Sequence, residues 1–418
     1  TPCGTLFPYT TLFRSHLNAG ANMADFGGYD MPLWYDTGVK NEHLAVLTSA
    51  GIFDTSHMAC ITVDGKDAFS LLNFCFTRDL APLAEGRCVY GAFLDEKGHC
   101  LDDAIVYKFS DKGFMVCVNA GMGGPIAAHL ASHKKQKDAA ITDLSGKIAK
   151  MDIQGVNAAR ILSPLIQSQD TVFDHMPYFS FKGHFDAGHP KAGAVKLTDG
   201  TPVLLSRSGY TGEFGFEIFL APHAIVNLWQ DVLKAGKDYG IAACGLGARD
   251  SLRAGACLPL SHQDIGHYKF MNHPWDFALP YTPDKTGFTK EFLGADALVS
   301  EENDMYVFPF AGDSLRKVAA GEDTGVFDHN QEQIGHVLTC ATDMGITWHD
   351  NKIVSIATPN LPDNIKIKGI ACGFVMVSKQ LEPGTQLTLK EGKRSIKVTI
   401  VKDIRPDRTA RKKLSHFI

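Results

Sequence analysis

The chain has 418 residues, of which 44% are hydrophobic and 21% are charged, and its formal net charge is -5. This length exceeds what one hydrophobic core usually organises, so we expect two or three domains in a soluble protein of ordinary composition. The negative charge gives no general attraction to nucleic acid or to an anionic membrane, and we expect neither as a partner.

The first half of the chain predicts a mixed α+β fold. Residues 1–15 lack helical periodicity and the plan of a signal peptide, so we expect them to lie outside the fold and expect a cytoplasmic location by default. Beyond them, the apolar spacing predicts in order a strand, a helix, a strand–turn–strand unit, a strand and a helix. These elements cover 59–65, 66–76, 90–109, 113–120 and 123–136.

A similar order recurs and then gives way to strands. The sequence predicts a strand over 147–155, a helix over 157–166, a hairpin-like pair over 202–222 and an amphipathic helix over 224–240. From about residue 305, short alternating runs separated by turns predict a small all-β domain, with a hairpin over 387–400.

The cysteines and histidines give no sign of a metal centre. The ten cysteines include no CxxC pair, and most lie in apolar runs, so we expect buried free thiols. The 17 histidines are scattered, and no HExxH-type spacing appears. The sequence therefore predicts no bound metal.

Two adjacent acids begin a strand that otherwise reads as buried. Asp is disfavoured in strands, and a buried carboxylate needs a partner, so Asp102 and Asp103 require an explanation. Consecutive strand side chains point to opposite faces, so only one of the two can face a cavity. The pattern alone leaves open which one does.

Several other stretches carry polar residues within otherwise apolar or glycine-rich segments. Each has a structural interpretation on its own, as a cap, a turn, a hairpin or the start of a helix. They are DFGGYDMPLWY (25–35), FDTSHM (53–58), LDDAIVY (101–107), VNAG (118–121), GYTGEFGFEI (209–218) and GLGARDSLR (245–253).

Together, and in this order, these motifs resemble the aminomethyltransferase family, which comprises the glycine cleavage system T-protein and related folate-dependent demethylases. The resemblance covers roughly residues 16–300 and continues weakly to the chain end. It implies an α+β fold with three domains around a central folate channel. It places a discontinuous first domain in 16–58 and 148–250, a second in 59–147 and 251–304, and a β domain in 305–418.

The resemblance also implies roles for individual residues. Asp103 would face the folate as the catalytic acid, stabilise positive charge on the transferred carbon and relay a proton. Tetrahydrofolate is the implied cofactor. The implied binding residues are Met58 and Tyr90 as apolar walls, Asn119 as a polar contact, Tyr210 against the pterin ring, Glu217 at the pterin edge and Arg249 at the anionic tail.

The implied function is the aminomethyltransferase of the glycine cleavage system. It would release ammonia from aminomethyl-lipoyl H-protein, its partner, and form 5,10-methylenetetrahydrofolate. One alternative is a folate-dependent demethylase or methyltransferase acting on a small methylamine or sulfonium compound. A second, which we favour less because Ser208 stands where that group carries cysteine, is a non-catalytic folate-binding protein.

Basic residues crowd the end of the chain. One interpretation is a solvated basic tail. The other, on which we base a prediction, is that these residues flank the entrance for the donor and attract an acidic H-protein. They are Arg405, Arg408, Arg411, Lys412 and Lys413.

Overall fold

The computed structural model describes residues 10–300 and 304–418. Its α-helices are α1 (Phe13–Asn18), α2 (Gly38–Thr48), α3 (Ala68–Cys75), α4 (Gly123–Lys134), α5 (Ala158–Leu162), α6 (Gln169–Phe173), α7 (Ile225–Ala235), α8 (Leu246–Gly255) and α9 (Ala295–Ser300).

The strands, in chain order, are β1 (Asn22–Phe26), β2 (Tyr29–Trp34), β3 (Gly51–Asp54), β4 (Ala59–Asp64), β5 (Arg87–Leu94), β6 (Cys100–Ser110), β7 (Gly113–Val118), β8 (Ala140–Asp143), β9 (Ala149–Gln154), β10 (Phe181–Gly183), β11 (Leu204–Ser206), β12 (Gly215–Leu220), β13 (Ala242–Ala243), β14 (Tyr306–Gly312), β15 (Gly321–Phe327), β16 (Gln333–Asp343), β17 (Ile346–His349), β18 (Lys352–Ser355), β19 (Ile370–Val377), β20 (Gln386–Glu391) and β21 (Arg394–Ile400).

A six-stranded sheet, in the order β10-β11-β12-β9-β3-β13, organises the first part of the molecule. The helix α7 joins its core because Ile225, Leu228, Trp229 and Val232 recur on one helical face and are all buried. Leu12 is fully buried in the same core. The expectation that residues 1–15 lie outside the fold is therefore wrong for residues 10–15, while residues 1–9 lie outside the described part of the chain.

A second sheet has five antiparallel strands in the order β5-β6-β7-β4-β8. The strands and helices predicted between residues 59 and 136 are confirmed. Along β6 the side chains alternate as a strand requires: Ala104 and Val106 enter the core beneath α3 and α4. Tyr107 points the other way and packs on Phe219 of the first sheet, with ring centroids 5.6 Å apart. The two sheets therefore face each other.

The last part of the chain is a closed barrel with the strand order β14-β19-β16-β15-β20-β21. Its final hairpin pairs β20 with β21, as the turn signal predicts. The buried Trp275 ring joins the barrel to the segment before it and lies 5.2 Å from the Phe374 ring centroid. The predicted α+β fold class with a C-terminal all-β domain is confirmed, and the exact domain limits stay predictions.

The chain end is packed rather than solvated. Arg405 is 2% exposed and forms ion pairs with Asp343 and Glu213. The Phe417 ring packs against the Phe214 ring in a tilted arrangement with their centroids 4.0 Å apart. The expectation of an exposed basic rim is therefore wrong for Arg405, because two buried carboxylates from distant segments need its charge.

The cysteines match the sequence prediction where the structure describes them. All of these thiols are free, and most are buried. Within the described ranges, no helix combines the length and apolar character that crossing a membrane requires.

Candidate active site

The two adjacent acids lie at the start of β6 and point to opposite faces of the second sheet. Asp102 is fully buried. Its Oδ1 accepts a hydrogen bond from the Ser261 hydroxyl at 2.7 Å, and its Oδ2 accepts one from the backbone N–H of Asn119 at 3.0 Å. Asp102 therefore anchors two loops, while Asp103 is partly exposed on the other face.

The side-chain amide of Asn119 links the two carboxylates. Its Nδ2 donates to Asp102 Oδ1 at 2.7 Å and to Asp103 Oδ1 at 2.6 Å. The Tyr90 hydroxyl donates to the second oxygen of Asp103 at 2.8 Å. Since a primary amide has two N–H groups, Asn119 can serve both acids at once and hold Asp103 in one orientation.

Burial sets the protonation of this pair. It raises the pKa of Asp102 to about 6 and that of Asp103 to about 7, and the charge of Asp102 adds to the second shift. Hydrogen bonds from Ser261 and Asn119 hold Asp102 as the anion more readily than its neighbour. A carboxyl group that gains and loses a proton near neutral pH is suited to general acid–base chemistry, and here that group is Asp103.

The β1–β2 hairpin covers the loop that carries Asn119. Its two-residue turn has Gly27 and Gly28 at φ +59° and +82°, and a Cβ added to Gly27 would lie 2.5 Å from the Cβ of Ala120. Only glycine therefore permits this close contact. Phe26, just before the turn, packs edge-on against His57 with centroids 5.4 Å apart, so the hairpin forms one wall of the site.

A buried network of charges lies between the two sheets. Lys150 on β9 donates to Asp152 at 2.7 Å and to Glu217 on β12 at 2.5 Å. Burial opposes the charged forms, but the mutual attraction holds the pKa of Asp152 low and that of Lys150 high. Ser208 also donates to Glu217. The Glu217 carboxylate, predicted at the pterin edge, thus has several protein partners already.

Arg249 connects this network to the aromatic part of the site. It is the fourth residue of α8, donates to Asp152 at 3.0 Å and lies over the Tyr210 ring, 4.8 Å from its centroid. Burial raises the pKa of Tyr210, with contributions from several neighbouring charges that include Asp103. Tyr210 therefore stands between the Asp103 pair and the charged network.

One ring nitrogen of His57 is a buried polar atom beside this network. It is 4% exposed, and its Nδ1 has no hydrogen-bond partner among the residues that the structure describes. Burial, followed by the charge of Arg249, lowers the pKa of His57 to about 4, so the ring is neutral at physiological pH. The neighbouring Met58 is partly buried among apolar side chains between the sheets.

The structure brings the predicted residues into two adjoining groups. The first contains Tyr90, Asp103 and Asn119, and the second contains Tyr210, Glu217 and Arg249. Sequence reasoning missed Lys150 and Asp152. A signal was available, since polar residues at alternate positions of an otherwise apolar strand, Lys150, Asp152 and Gln154, share one face.

Comparisons with known proteins agree along most of the chain. The family model described as the GCVT N-terminal domain matches residues 12–277. An aminomethyltransferase of Anoxybacillus flavithermus (strain DSM 21510 / WK1) is 33% identical over 374 residues, which cover 89% of this chain and 93% of that protein. An aminomethyltransferase of Thermoanaerobacter sp. (strain X514) is 31% identical over 386 residues, which cover 89% of this chain and 92% of that protein.

A solved structure gives the same result for the fold. The glycine cleavage system aminomethyltransferase T from Bartonella henselae is 25% identical, with a TM-score of 0.75. The match covers 94% of this chain and 97% of that one, so it includes both sheets and the barrel.

Proposed function

This chain belongs to the aminomethyltransferase family, and from that premise we propose that it is the tetrahydrofolate-dependent enzyme of a glycine cleavage system. Its reaction would take the aminomethyl group from the lipoyl arm of H-protein, release ammonia and form 5,10-methylenetetrahydrofolate. The observation that carries the proposal is the Asp103 carboxyl, whose proton is exchangeable near neutral pH and whose orientation Tyr90 and Asn119 fix.

Asp103 would act on charge and on protons. Tetrahydrofolate, when bound, supplies the two amine nitrogens that receive the carbon. The ionised carboxylate of Asp103 would attract positive charge that develops on the transferred carbon, and its protonated form could return a proton to the leaving amine. Because Tyr90 and Asn119 hold both oxygens, little reorganisation would be needed when that charge appears.

The side chains around Tyr210 and Arg249 have the chemistry needed to bind a folate. The flat Tyr210 ring beneath the Arg249 guanidinium offers a stacking surface for an aromatic heterocycle. A guanidinium carries five N–H donors, and the ion pair with Asp152 uses Nη1, so donors remain for an anionic tail. The unpartnered Nδ1 of His57 is a buried polar atom that a bound heterocycle could satisfy.

Glu217 would contact the pterin through the capacity that its protein partners leave. A carboxylate offers about four acceptor positions, and Lys150 and Ser208 occupy two of them. Tyr107 approaches a third at 3.5 Å, a weak contact that a better donor could replace. The pterin edge would therefore meet the free position on Oε1 and the weakly held position on Oε2.

A panel of donors tests the proposal. Purified full-length protein with tetrahydrofolate is given aminomethyl-loaded H-protein, an N-methylated amino acid or a dimethylsulfonium compound, and donor consumption is followed. We expect turnover with the loaded H-protein and none above background with the two small donors. Turnover of a small donor, with loaded H-protein left unchanged, would replace this proposal with the demethylase function.

A further inference from the structure

Two helices outside the active site bring three metal-binding side chains together. His129 and His133 stand four residues apart on α4 and therefore share one face of the helix. Cys75 is the last residue of α3, which packs beside α4 on the second sheet. One ligand atom from each of the three lies within 4.8 Å of the others. Because the thiol comes from a different helix than the two imidazoles, the spacing of His129 and His133 along the sequence does not by itself reveal the cluster.

The hydrogen bonds of the two histidines leave nitrogen atoms available. The Nδ1 of His133 lies 2.9 Å from the carbonyl oxygen of His129, and a carbonyl only accepts, so Nδ1 carries the proton and Nε2 keeps its lone pair. The Nε2 of His129 is buried with no hydrogen-bond partner among the described residues. A buried nitrogen in this state requires an explanation, which a metal ion would supply.

A carboxylate suited to be a fourth ligand lies at the solvent side of the cluster. An oxygen of Glu96, in the turn between β5 and β6, lies 3.9 Å from Nε2 of His133. The Glu96 side chain is 76% exposed and that of His133 is 19% exposed, whereas Cys75 is 1% exposed. An ion could therefore enter past Glu96 and His133 and reach the buried thiol.

The geometry points to a divalent zinc site, and we propose that Cys75, His129, His133 and Glu96 bind Zn²⁺. A thiolate with two imidazoles favours zinc over magnesium or calcium, which prefer oxygen ligands. Tetrahedral bonds of about 2.3 Å to sulfur and 2.0–2.1 Å to nitrogen hold ligand atoms roughly 3.3–3.6 Å apart. The side chains of Cys75, His129 and His133 therefore need only a small inward movement. The Cys75 thiol loses its proton to solvent as the S–Zn bond forms.

Bound zinc would tie α3, α4 and the β5–β6 turn together on the face of the second sheet that lies away from Asp103. That role is structural, so it does not depend on the identity of the one-carbon donor. It predicts a rise in the melting temperature when zinc binds the folded chain.

Cobalt titration of the full-length protein tests the site. After dialysis against a chelator, Co²⁺ is added to wild type and to Cys75→Ala and His133→Gln, and the absorption spectrum is recorded. Cys340→Ala and His175→Gln serve as matched controls, since Cys340 lies in the barrel and the His175 side chain is 91% exposed. Zn²⁺ is then added to displace the cobalt, and circular dichroism checks the fold of each variant.

In wild type and in both controls we expect one cobalt ion per chain, with a thiolate-to-cobalt charge-transfer band that zinc abolishes. Cys75→Ala should lose the band, and His133→Gln should weaken metal binding by more than the roughly 10- to 100-fold that loss of an outer-shell partner causes. Absence of the band in wild type, or its persistence in Cys75→Ala, would overturn the proposal. If Cys75→Ala does not fold, the His133→Gln variant decides the question, and an unchanged affinity of that variant for Co²⁺ would also overturn the proposal.

Discussion

Replacing Asp103 with asparagine isolates the carboxyl group that the proposed chemistry needs. The amide has nearly the same shape and can keep a hydrogen bond to Tyr90 or Asn119, but it cannot ionise. General acid–base catalysis contributes about 100- to 10,000-fold, so we expect kcat to fall within that range. The affinity for tetrahydrofolate should change little, because the charge matters mainly when the carbon is transferred.

The same substitution should alter stability in a way that depends on pH. Burial and the charge of Asp102 raise the pKa of Asp103 from 3.8 to about 7 in the fold. The unfolded chain therefore loses this proton at lower pH than the folded chain, and wild-type stability falls as pH rises through that interval. A shift of this size corresponds to about 4 kcal/mol, an upper limit because the side chain is partly exposed.

Asp103→Asn removes the destabilisation that ionisation of the buried carboxyl causes at higher pH, and it loses one hydrogen bond worth about 1 kcal/mol. Relative to wild type, its free energy of unfolding should therefore increase between about pH 4 and pH 8, and the variant should be the more stable protein at the upper end. Urea unfolding at several pH values, combined with steady-state kinetics, measures both effects. Asp102→Asn is the matched control: it removes an acceptor of the hydrogen bonds from Ser261 and Asn119, so it should lower stability at acidic pH, where the wild-type Asp102 is protonated, and it should affect kcat less. A kcat for Asp103→Asn within about threefold of wild type would refute the catalytic role.

Three further changes probe the charged groups around the site and the chain end. Glu217→Gln weakens the ion pair with Lys150 and turns one hydrogen-bond acceptor into a donor. Titration with tetrahydrofolate should therefore show roughly 5- to 150-fold weaker binding, and an unchanged affinity would remove Glu217 from the site. Arg405→Met leaves Asp343 buried without its main partner, and urea unfolding should show a loss of about 3–5 kcal/mol at neutral pH. Burial opposes ionisation of Asp343, but the charge of Arg405 holds the pKa of Asp343 low. The loss of stability in Arg405→Met should therefore shrink as pH falls below about 4, and a loss that does not change with pH would contradict the ion pair. Truncation after Asp407 removes the buried Phe417 ring, so the free energy of unfolding should fall by about 3 kcal/mol or more at any salt concentration. If the truncated protein keeps its stability and only captures H-protein less well at low salt, the tail has a docking role instead.

Much of the second sheet could be predicted because its information is local. Alternating apolar residues mark β4, β6 and β7, and alternation alone places Asp102 and Asp103 on opposite faces. The choice between the two acids needed the resemblance, because their partners come from other segments. The structure supplies those partners as Tyr90 for Asp103 and Ser261 for Asp102.

Features that depend on distant segments were predicted poorly. The Lys150 network joins residues from β9, β12 and α8, and the sequence shows only that polar side chains alternate along one strand. Arg405 looks like part of a solvated basic tail until Asp343 and Glu213 are placed beside it. The β1–β2 hairpin was missed despite its Gly-Gly turn, and Pro32 within β2 fits the edge of a two-stranded sheet.

Product balance from loaded H-protein tests the central claim most directly. Aminomethyl-lipoyl H-protein carrying a labelled carbon is mixed with the full-length protein, with and without tetrahydrofolate, and ammonia, label and remaining donor are counted. We expect ammonia and labelled 5,10-methylenetetrahydrofolate in equal amounts, matched by the loss of donor, with both nearly abolished in Asp103→Asn. Ammonia release that does not depend on tetrahydrofolate, or label that never reaches the folate, would contradict the account.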